Sequence, residues 1–290
     1  MKKTSLVLIS ISLTLLTGFF ATLSFWQQEQ LKSTSIVFLN VGQGDAILIQ
    51  QGRTQILIDS GKDGRQLLAE LGRYVPFWDR HIEIIIPTHP DADHIGGFAQ
   101  IADAYSVGRV LWTGLESDTD VFRKFQQTFQ GMVPGERFQK MASGSKFTLP
   151  QGGTIEVLYP HQTFTGMAKD EDTNATSIVL RFQYGETSFL LTGDLPNEEL
   201  VLPDVVPVTV LKAAHHGSRY STSDTFLSLT KPQEVVISVG KNSYGHPTKE
   251  VLTRIQNMGA KILRTDQEGS IEYRCVHLEQ KCQYVGRRVF

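Results

Sequence analysis

The sequence predicts a mixed α/β fold of α+β character, in which two strand-rich halves follow one N-terminal hydrophobic helix. Three features support it: β-branched runs of strand length, apolar residues at helical spacing between them, and recurrence of this texture in both halves. Since strands and helices both need a partner for their apolar faces, we expect two packed sheets with helices outside them.

The composition is that of a globular protein, with 290 residues, of which 40% are hydrophobic and 20% charged. A net charge of -2 excludes a strongly basic nucleic-acid clamp, although a local basic groove stays open. The two cysteines exclude both a disulfide-rich scaffold and a cysteine-based zinc cluster. We see no break in composition within residues 35–290 and treat them as one domain.

The N-terminal segment, residues 1–28, is interpreted as a membrane anchor or a signal peptide, and residues 29–34 as a linker. Lys2 and Lys3 precede an apolar stretch from Leu6 to Trp26, whose 21 residues match the ~20 that span a bilayer. The lysines favour a cytoplasmic N-terminus, which places the domain outside the cytoplasm, or secretes it if the segment is cleaved. A buried core helix is the third interpretation.

Two cysteines, Cys275 and Cys282, flank six residues in a segment that alternates like a β-hairpin. Across two strands they would face each other, and a disulfide bond is expected in an oxidising compartment. Two separate half-buried thiols are the alternative.

In the first half of the domain, the length and the periodicity of the apolar runs predict the strands and helices. Apolar, β-branched runs punctuated by glycine predict strands, and amphipathic runs between them predict helices. The predicted strands are 35–41, 46–50, 55–59, 82–87 and 110–112, and the predicted helices are 65–74, 96–105 and 121–130.

The second half repeats this pattern and closes with a hairpin over 270–289. Its helices are predicted at 224–230 and 249–257. Its strands are predicted at 147–149, 154–159, 177–184, 187–192, 208–213, 234–239 and 261–264.

Four potential metal ligands follow the predicted strand 82–87 within six residues: His89, Asp91, Asp93 and His94. Loops at the carboxyl ends of strands are where α/β proteins place their active sites. Imidazole and carboxylate ligands together suit zinc, manganese or iron(II). The alternative, an ordinary polar loop, is disfavoured by this density of ligands.

Further ligands are expected from loops after later strands. Asp194 follows an apolar strand and Gly193, and its two oxygens could bridge two metal ions. His215 and His216 also follow a strand; because neighbouring side chains on an extended chain point to opposite sides, only one is expected to bind metal. The other, with His246, would hold or protonate the substrate, although a surface histidine is the alternative for His246.

At these residues the sequence resembles the metallo-β-lactamase superfamily, and more specifically the C-terminal hydrolase domain of the ComEC competence proteins. The resemblance covers almost all of residues 35–275. It lies in the motifs FLNVGQGDA (38–46), ILIDSG (56–61), THPDADHIGG (88–97), NATSIVL (174–180), LLTGD (190–194), LKAAHHGSRYSTS (211–223), VGKNSYGHP (239–247) and RTDQEGSI (264–271).

The resemblance implies a four-layer αββα sandwich with a dinuclear site of two divalent metal ions, zinc or manganese. Asp91 and Asn174 stand where many members of the superfamily have histidine, which shifts the preference toward manganese. The implied metal ligands are His89, Asp91, Asp93, His94, Asp194 and His216; Asp45, Asp59 and Asn174 are implied to support the site.

The same resemblance implies a metal-dependent hydrolase, most simply a phosphodiesterase or nuclease related to DNA uptake that uses a metal-activated water. Catalysis is assigned to Asp194, His215 and His246, and substrate binding to Ser218, His246 and Lys212. For Lys212 an equal alternative stays open, in which it lies in the strand and pairs with a carboxylate. Three alternatives stay open: a phosphodiesterase of the cell envelope, such as one acting on teichoic-acid phosphorylcholine, a hydrolase of another ester, and a non-catalytic module that binds DNA or a channel.

The expected partners are a phosphodiester substrate such as DNA, the membrane through the N-terminal helix, and a separate membrane channel protein. A channel needs many spans, and this chain has one hydrophobic segment. Phe77, Trp78 and Trp112 are interpreted as core residues, with a substrate groove as the alternative.

Overall fold

A computed structural model describes residues 14–19, 22, 33–168 and 173–286. The predicted N-terminal hydrophobic helix within 1–28 lies outside these residues, apart from 14–19 and 22, which are helical and exposed. Within the described part of the chain, no helix combines the length and apolar character that a membrane span needs.

The first sheet has eight strands in the order β15-β14-β1-β2-β3-β4-β5-β6. Its strands are β1 Thr34–Phe38, β2 Ile47–Gln51, β3 Thr54–Ile58, β4 His81–Ile86, β5 Ser106–Trp112, β6 Phe138–Lys140, β14 Ile271–Cys275 and β15 Gln283–Gly286.

The second sheet has seven strands in the order β13-β12-β11-β10-β9-β8-β7. Its strands are β7 Lys146–Thr148, β8 Thr154–Tyr159, β9 Val179–Tyr184, β10 Thr187–Leu191, β11 Val210–Lys212, β12 Glu234–Ile237 and β13 Lys261–Arg264.

Four longer helices cover the sheets, and each begins at a polar cap: the side chains of Asp63, Thr119, Ser223 and Thr248 accept from backbone N–H groups of the first turn. The helices are α1 Gly64–Tyr74, α2 Ala92–Ile95, α3 Phe98–Ile101, α4 Asp120–Met132, α5 Glu198–Val201, α6 Asp224–Thr230, α7 Lys249–Met258 and α8 Thr265–Glu268.

Three apolar cores separate four layers. The central core joins the two sheets and includes Phe38, Ile86 and Phe182. A second core packs α1, α3 and α4 on the first sheet, and a third packs α6 and α7 on the second. The predicted arrangement of two sheets with helices outside is therefore confirmed.

The strand directions create one functional edge. β3, β4 and β5 run parallel in the first sheet, and β10, β11 and β12 run parallel in the second. The carboxyl ends of β4, β10 and β11 come directly before the predicted ligands. The topology thus gathers both halves of the predicted site at one end of the sandwich.

The predicted helix 96–105 is wrong in its length, since only the four residues of α3 are helical within it, and the chain forms α2 just before it. The Gly97 N–H donates to the carbonyl of Gly61 (2.9 Å) and to the hydroxyl of Ser60 (3.1 Å). These bonds tie the junction to the loop after β3 and divide the helix. Sequence reasoning also missed β6, α5 and α8.

The expected disulfide between Cys275 and Cys282 is present. β14 and β15 are antiparallel with Arg274 opposite Gln283, so the two cysteines form the next opposed pair. The bond ties the end of β14 to the segment that leads into β15.

Candidate metal centre

The candidate site is a buried cluster of histidines and carboxylates shared between the two sheets. His89 and His94 follow β4 of the first sheet, whereas Asp194 and His216 follow β10 and β11 of the second. All four residues are at most 2% exposed. Buried polar groups at this density need partners, so their contacts decide what the site can hold.

His94 is oriented by Asp59. Its Nδ1 lies 2.8 Å from Asp59 Oδ2, while the backbone N–H and the hydroxyl of Thr88 donate to the same carboxylate at 2.7 and 2.8 Å. Asp59 adopts the left-handed conformation, with φ of 57°, directly after β3. This buttress directs Nε2 of His94 toward Asp194 Oδ2, 3.2 Å away.

His216 is oriented by a backbone carbonyl. Its Nδ1 lies 2.8 Å from the oxygen of Ser238, which follows β12. Its Nε2 then lies 3.3 Å from Asp194 Oδ2 and 3.4 Å from Asp93 Oδ2. Of the histidine pair, His216 therefore faces the cluster with its ring nitrogen.

His89 is held at the other side of the cluster by two hydroxyls. Its Nδ1 lies 3.0 Å from the hydroxyl of Thr88 and 3.3 Å from that of Ser177. Because Thr88 gives its own proton to Asp59, it can accept from His89, which leaves Nε2 of His89 as the unprotonated nitrogen.

The residues fit a metal site. Among the described residues, the buried Nε2 atoms of His89, His94 and His216 have no hydrogen-bond partner. One set of ligand atoms within 4.8 Å of one another comes from His89, His94 and Asp194, and another from Asp93, His94 and His216. Imidazoles anchored through Nδ1, beside carboxylates, are the donor set that divalent transition metals prefer. The arrangement can hold a metal ion.

Asp91 and Asn174 lie beside the first of these sets. Asp91 Oδ2 is 3.8 Å from His89 Nε2, and Thr173 donates a hydrogen bond to Asp91 Oδ1. Asn174 belongs to the same 3-10 turn as Thr173, Thr173–Thr176. The NATS stretch (174–177) contacts the His89 side of the cluster through the hydroxyl of Ser177, and support of the site by Asn174 stays a prediction.

Lys212 is not placed to touch a substrate, which corrects its prediction as a substrate contact and agrees with the alternative, a strand lysine paired with a carboxylate. Its ammonium group is fully buried, contacts the carboxylate of Asp45, donates to the carbonyl of Gly193 at 2.6 Å and lies 3.4 Å from Asp194 Oδ1. Burial alone lowers the pKa of Lys212, but Asp45 and Asp194 outweigh it and raise the pKa. Lys212 is a fixed cation beneath the site.

Ser218 is likewise buried, which corrects its prediction as a substrate contact. It is 2% exposed, and its hydroxyl accepts from the N–H of Tyr220. This bond shapes the turn after His216 and leaves the side chain inside the protein.

The charges of the cluster favour an ionised carboxylate at its centre. Burial raises the pKa of Asp194, but His216, His94 and Lys212 outweigh burial and hold the pKa well below its usual value. Burial lowers the pKa of His216, but Asp194 and Asp93 overcome it and raise the pKa to about 9. Asp194 is therefore an anion that attracts cations to this point.

Gly44 explains how Asp45 reaches the cluster. Gly44 has φ of 121°, and a Cβ there would lie 2.1 Å from the carbonyl oxygen of Asp93. The N–H of Asp45 donates to that oxygen at 3.2 Å. Only glycine permits this approach, so the predicted support by Asp45 depends on its neighbour.

A row of rings leads from the cluster to the surface. His215 lies 5.3 Å from His246 and His246 lies 5.9 Å from Tyr244, measured between ring centroids. Burial lowers the pKa of His215, and burial with the neighbouring His215 lowers that of His246 to about 4, so both rings are neutral at neutral pH. Tyr244 is 73% exposed at the mouth.

Sequence reasoning missed the groups that orient the ligands: Thr88, Ser177 and the carbonyl of Ser238. Ser177 accepts from the N–H of Asp194 at 3.0 Å, and its hydroxyl lies 3.3 Å from Nδ1 of His89, which joins the two sheets. Thr88 and Ser177 carry a weak signal, as hydroxyl residues inside ligand-bearing motifs. The backbone carbonyl of Ser238 leaves no signal in the sequence.

Glu198 is a further buried carboxyl that the sequence did not reveal. It is 0% exposed and accepts from the N–H of Thr222 at 2.9 and 3.0 Å, where Thr222 has φ of 53°. Burial raises the pKa of Glu198 to about 7, against a smaller opposing effect of hydrogen bonds from backbone N–H groups. Glu198 thus supports the loop that follows His216.

We expect Glu198→Gln to flatten the pH dependence of stability. The folded-state pKa lies above the unfolded value, so the stabilising contribution of the protonated form is present in acid and disappears as pH rises through about 7. The free energy of unfolding of Glu198→Gln relative to wild type should rise by about 2 to 3 kcal/mol between pH 5 and 8. Urea unfolding across this range measures it, and parallel pH profiles for the two proteins would contradict it.

The comparisons with known proteins fit this geometry. The model of the family described as "Metallo-beta-lactamase superfamily" matches residues 39–130, which contain Asp45, Asp59 and the THPDADHIGG stretch. The chain carries a metallo-beta-lactamase domain.

Curated relatives of this metallo-beta-lactamase domain are competence proteins. "ComE operon protein 3" of Bacillus subtilis is 31% identical over 263 residues, covering 81% of this chain and 32% of that protein. "Competence protein ComA" of Neisseria gonorrhoeae is 28% identical over 247 residues, covering 82% and 32%. The chain thus spans about a third of the length of these relatives, and the resemblance predicted from the motifs is confirmed.

A solved structure shares the fold. The metallo-beta-lactamase fold protein YhfI from Bacillus subtilis superimposes with a TM-score of 0.56 at 15% identity, over 84% of this chain and all of that one. Proteins with this domain are generally metal-dependent hydrolases, and the buried histidine–carboxylate cluster is consistent with that chemistry.

Proposed function

We propose that this protein is a metal-dependent phosphodiesterase that cleaves DNA with a pair of divalent ions at the shared edge of its two sheets. The observation that carries the proposal is the convergence of three anchored imidazoles on Asp194, in two overlapping sets of ligand atoms. With Asp91 the two sets offer six side chains, more than the four ligands of a tetrahedral ion, which is the basis for proposing two adjacent ions.

The ligands are divided between two positions. His89 and Asp91 would hold one ion, and Asp93, His94 and His216 would hold the other, with the carboxylate of Asp194 available to both. Carboxylate oxygens form half of this set, which favours manganese or zinc over softer metals. Divalent ions bound there would supply Lewis-acid chemistry, withdrawing charge from a phosphoryl oxygen and acidifying a nearby water.

The protein's own side chains would orient the substrate phosphate and hold the carboxylates of the site in place. His215 is half-buried, with its Nε2 3.9 Å from Asp194 Oδ2, and its neutral imidazole donates an N–H to a phosphoryl oxygen. The ring of His246, 5.3 Å from that of His215 between centroids, would hold a further phosphoryl oxygen through its N–H, and the leaving-group oxygen would take its proton from water. Lys212 holds Asp45 and Asp194 in place from below.

The exposed side chains at the mouth of the site favour a polynucleotide substrate. Tyr244 extends the row of rings into solvent, and the guanidinium of Arg219 lies 6.0 Å from the ring centroid of exposed Tyr220. Exposed aromatic rings beside a cation suit single-stranded nucleic acid, because bases stack on rings and phosphates pair with arginine. The relatives' competence names are consistent with DNA.

The test removes metal from the purified full chain, restores manganese or zinc, and measures cleavage of bis-p-nitrophenyl phosphate and of single- and double-stranded DNA. We expect metal-dependent cleavage of the ester and of single-stranded DNA. Cleavage of the ester but not of DNA would indicate that the substrate is an envelope or small-molecule phosphodiester and not DNA. Absence of turnover with metal measurably bound would contradict a phosphodiesterase and favour another ester or a binding module.

Tyr244→Ala should weaken single-stranded DNA binding without affecting an abasic strand. Loss of one stacked base costs about 1 to 3 kcal/mol, so we expect KM for an oligothymidine to rise about 5- to 150-fold. The same oligonucleotide lacking its bases is the reference, and Tyr244→Phe should retain the wild-type KM. Equal losses on both strands would show that Tyr244 does not stack a base.

The location is part of the proposal. The apolar stretch from Leu6 to Trp26 anchors the chain and places the domain outside the cytoplasm, where the Cys275–Cys282 disulfide is stable. A separate membrane channel protein as partner stays a prediction.

A further inference from the structure

Two adjacent aromatic residues are displayed on a rigid turn at the edge opposite the metal centre. Phe77 is 78% exposed and Trp78 is 61% exposed, and their rings meet edge-to-face with centroids 4.8 Å apart. The prediction that both belong to the core is wrong, whereas Trp112 is buried as expected. Exposed aromatic pairs of this size indicate a contact surface.

The turn that carries this pair is fixed from beneath. The N–H of Asp79 donates to the carbonyl of Pro76 at 2.9 Å, which closes the turn. The buried carboxylate of Asp79 receives Gln55 Nε2 at 3.2 Å and lies 4.0 Å from exposed Arg53. The rings are therefore held outward by a buried polar contact and do not fold back on the domain.

The chain enters the domain at this same edge. Thr34 begins β1, and the strand pairings place the starts of β3 and β4 level with it. At about 4.8 Å per strand, the start of β4 lies about 14 Å from that of β1 along the edge. The turn with Phe77 and Trp78 leads directly into β4.

The closing hairpin adds apolar groups here. Cys275 pairs with Thr34, so residues 276–281 lie beside the entry point. Val276 and Leu278 are exposed in this segment, at 40% and 44%. Basic Arg53 and Arg80 are exposed near the aromatic pair. The edge thus combines exposed apolar side chains with exposed arginine side chains.

The short segment between the apolar stretch and the domain, here called the tether, limits what can cover this edge. Seven residues, 27–33, separate the end of the apolar stretch at Trp26 from Thr34, and an extended chain of that length reaches at most about 25 Å. A domain on so short a tether keeps its entry edge near the bilayer surface. Tryptophan and phenylalanine with flanking arginines match the headgroup region, where aromatic rings are enriched.

We propose that this entry edge is a membrane-contact face, on which Phe77 and Trp78 insert into the lipid headgroup region and fix the domain's orientation. The proposal rests on the anchored location proposed above and is independent of the hydrolase activity. The occupant is lipid, and the metal centre lies at the opposite end of β4, directed away from the bilayer.

The test uses tryptophan emission from the full chain in phosphatidylcholine vesicles, with and without bromine near the start of the acyl chains. Trp26→Phe in every variant removes the tryptophan of the apolar stretch. The first protein, W26F, keeps Trp78 as its exposed reporter, and the control, W26F/W78F/L200W, moves the reporter to α5. Leu200 is 75% exposed after the carboxyl end of β10, at the catalytic edge.

We expect brominated lipid to quench the emission that W26F has in excess of W26F/W78F, and to leave the L200W reporter unquenched. Buried Trp112 contributes equally to all variants. Equal quenching at both positions, no quenching at Trp78 in protein that floats with the vesicles, or failure of the chain to float with them would each overturn the proposal. The readout involves no catalysis, so it is separate from failure of the phosphodiesterase proposal.

Discussion

Asp194→Ala should abolish metal-dependent turnover, with a loss of more than about 100-fold, which exceeds the loss expected for removing a group that only supports a ligand. Asp194 Oδ2 lies 3.2 Å from His94 Nε2 and 3.3 Å from His216 Nε2, at the centre of the cluster. Without that carboxylate the two sets of ligands lose their shared anion. We expect bound metal, measured by mass spectrometry after gel filtration, to fall with activity.

Asp103→Ala is the matched control, since Asp103 is an exposed aspartate outside the site. It should keep both metal content and turnover. Near-ultraviolet circular dichroism of Asp194→Ala checks that the fold survives. Wild-type turnover in a folded Asp194→Ala protein would remove Asp194 from the mechanism and with it the proposed metal arrangement.

Lys212→Met should be the most destabilising single substitution we consider. Methionine matches the length of the lysine stem but removes the buried ammonium group, which leaves the carboxylates of Asp45 and Asp194 without their cation. Breaking a buried ion pair costs about 3 to 5 kcal/mol. Added manganese or zinc should restore part of the loss, because a bound cation also neutralises Asp194.

Urea unfolding with and without metal measures this effect, with Lys261→Met as the matched control. Lys261 also pairs with a carboxylate, Glu234 at 3.5 Å, but its side chain is 52% exposed, so less than about 1 kcal/mol is expected. Asp45→Asn combined with Lys212→Met should recover stability, since it removes the stranded charge. Equal losses for the two lysine variants would show that burial of Lys212 has no special energetic role.

The sequence was informative where local chemistry decides structure. Two histidines and two aspartates within six residues after a β-branched strand predict a polar site there, and His89 and His94 lie in the buried cluster. His215 and His216 were separable in principle by alternation, but the strand ends at Lys212 and both histidines have positive φ. The carbonyl of Ser238, on another strand, decides which of them faces the cluster.

For Lys212 the sequence allowed a strand lysine paired with a carboxylate, but it identified neither the partner nor the burial. Lysine at a strand end is usually solvated, and only the position of β11 between β10 and β12 buries it. Its partner Asp45 comes from the first sheet, far away in the sequence, and reaches it through the close approach at Gly44. Long-range contacts of this kind leave no local pattern, and the exposure of Trp78 was hidden for the same reason.

The division of the cluster between the two sheets has a consequence for folding. His89 and Asp194 are roughly 100 residues apart, so closing that loop carries a large entropic cost before any contact compensates for it. The two sets of ligand atoms described above each take members from both halves of the chain. High-affinity metal binding therefore reports that the two sheets have already docked, and we expect metal to slow unfolding far more than it speeds folding.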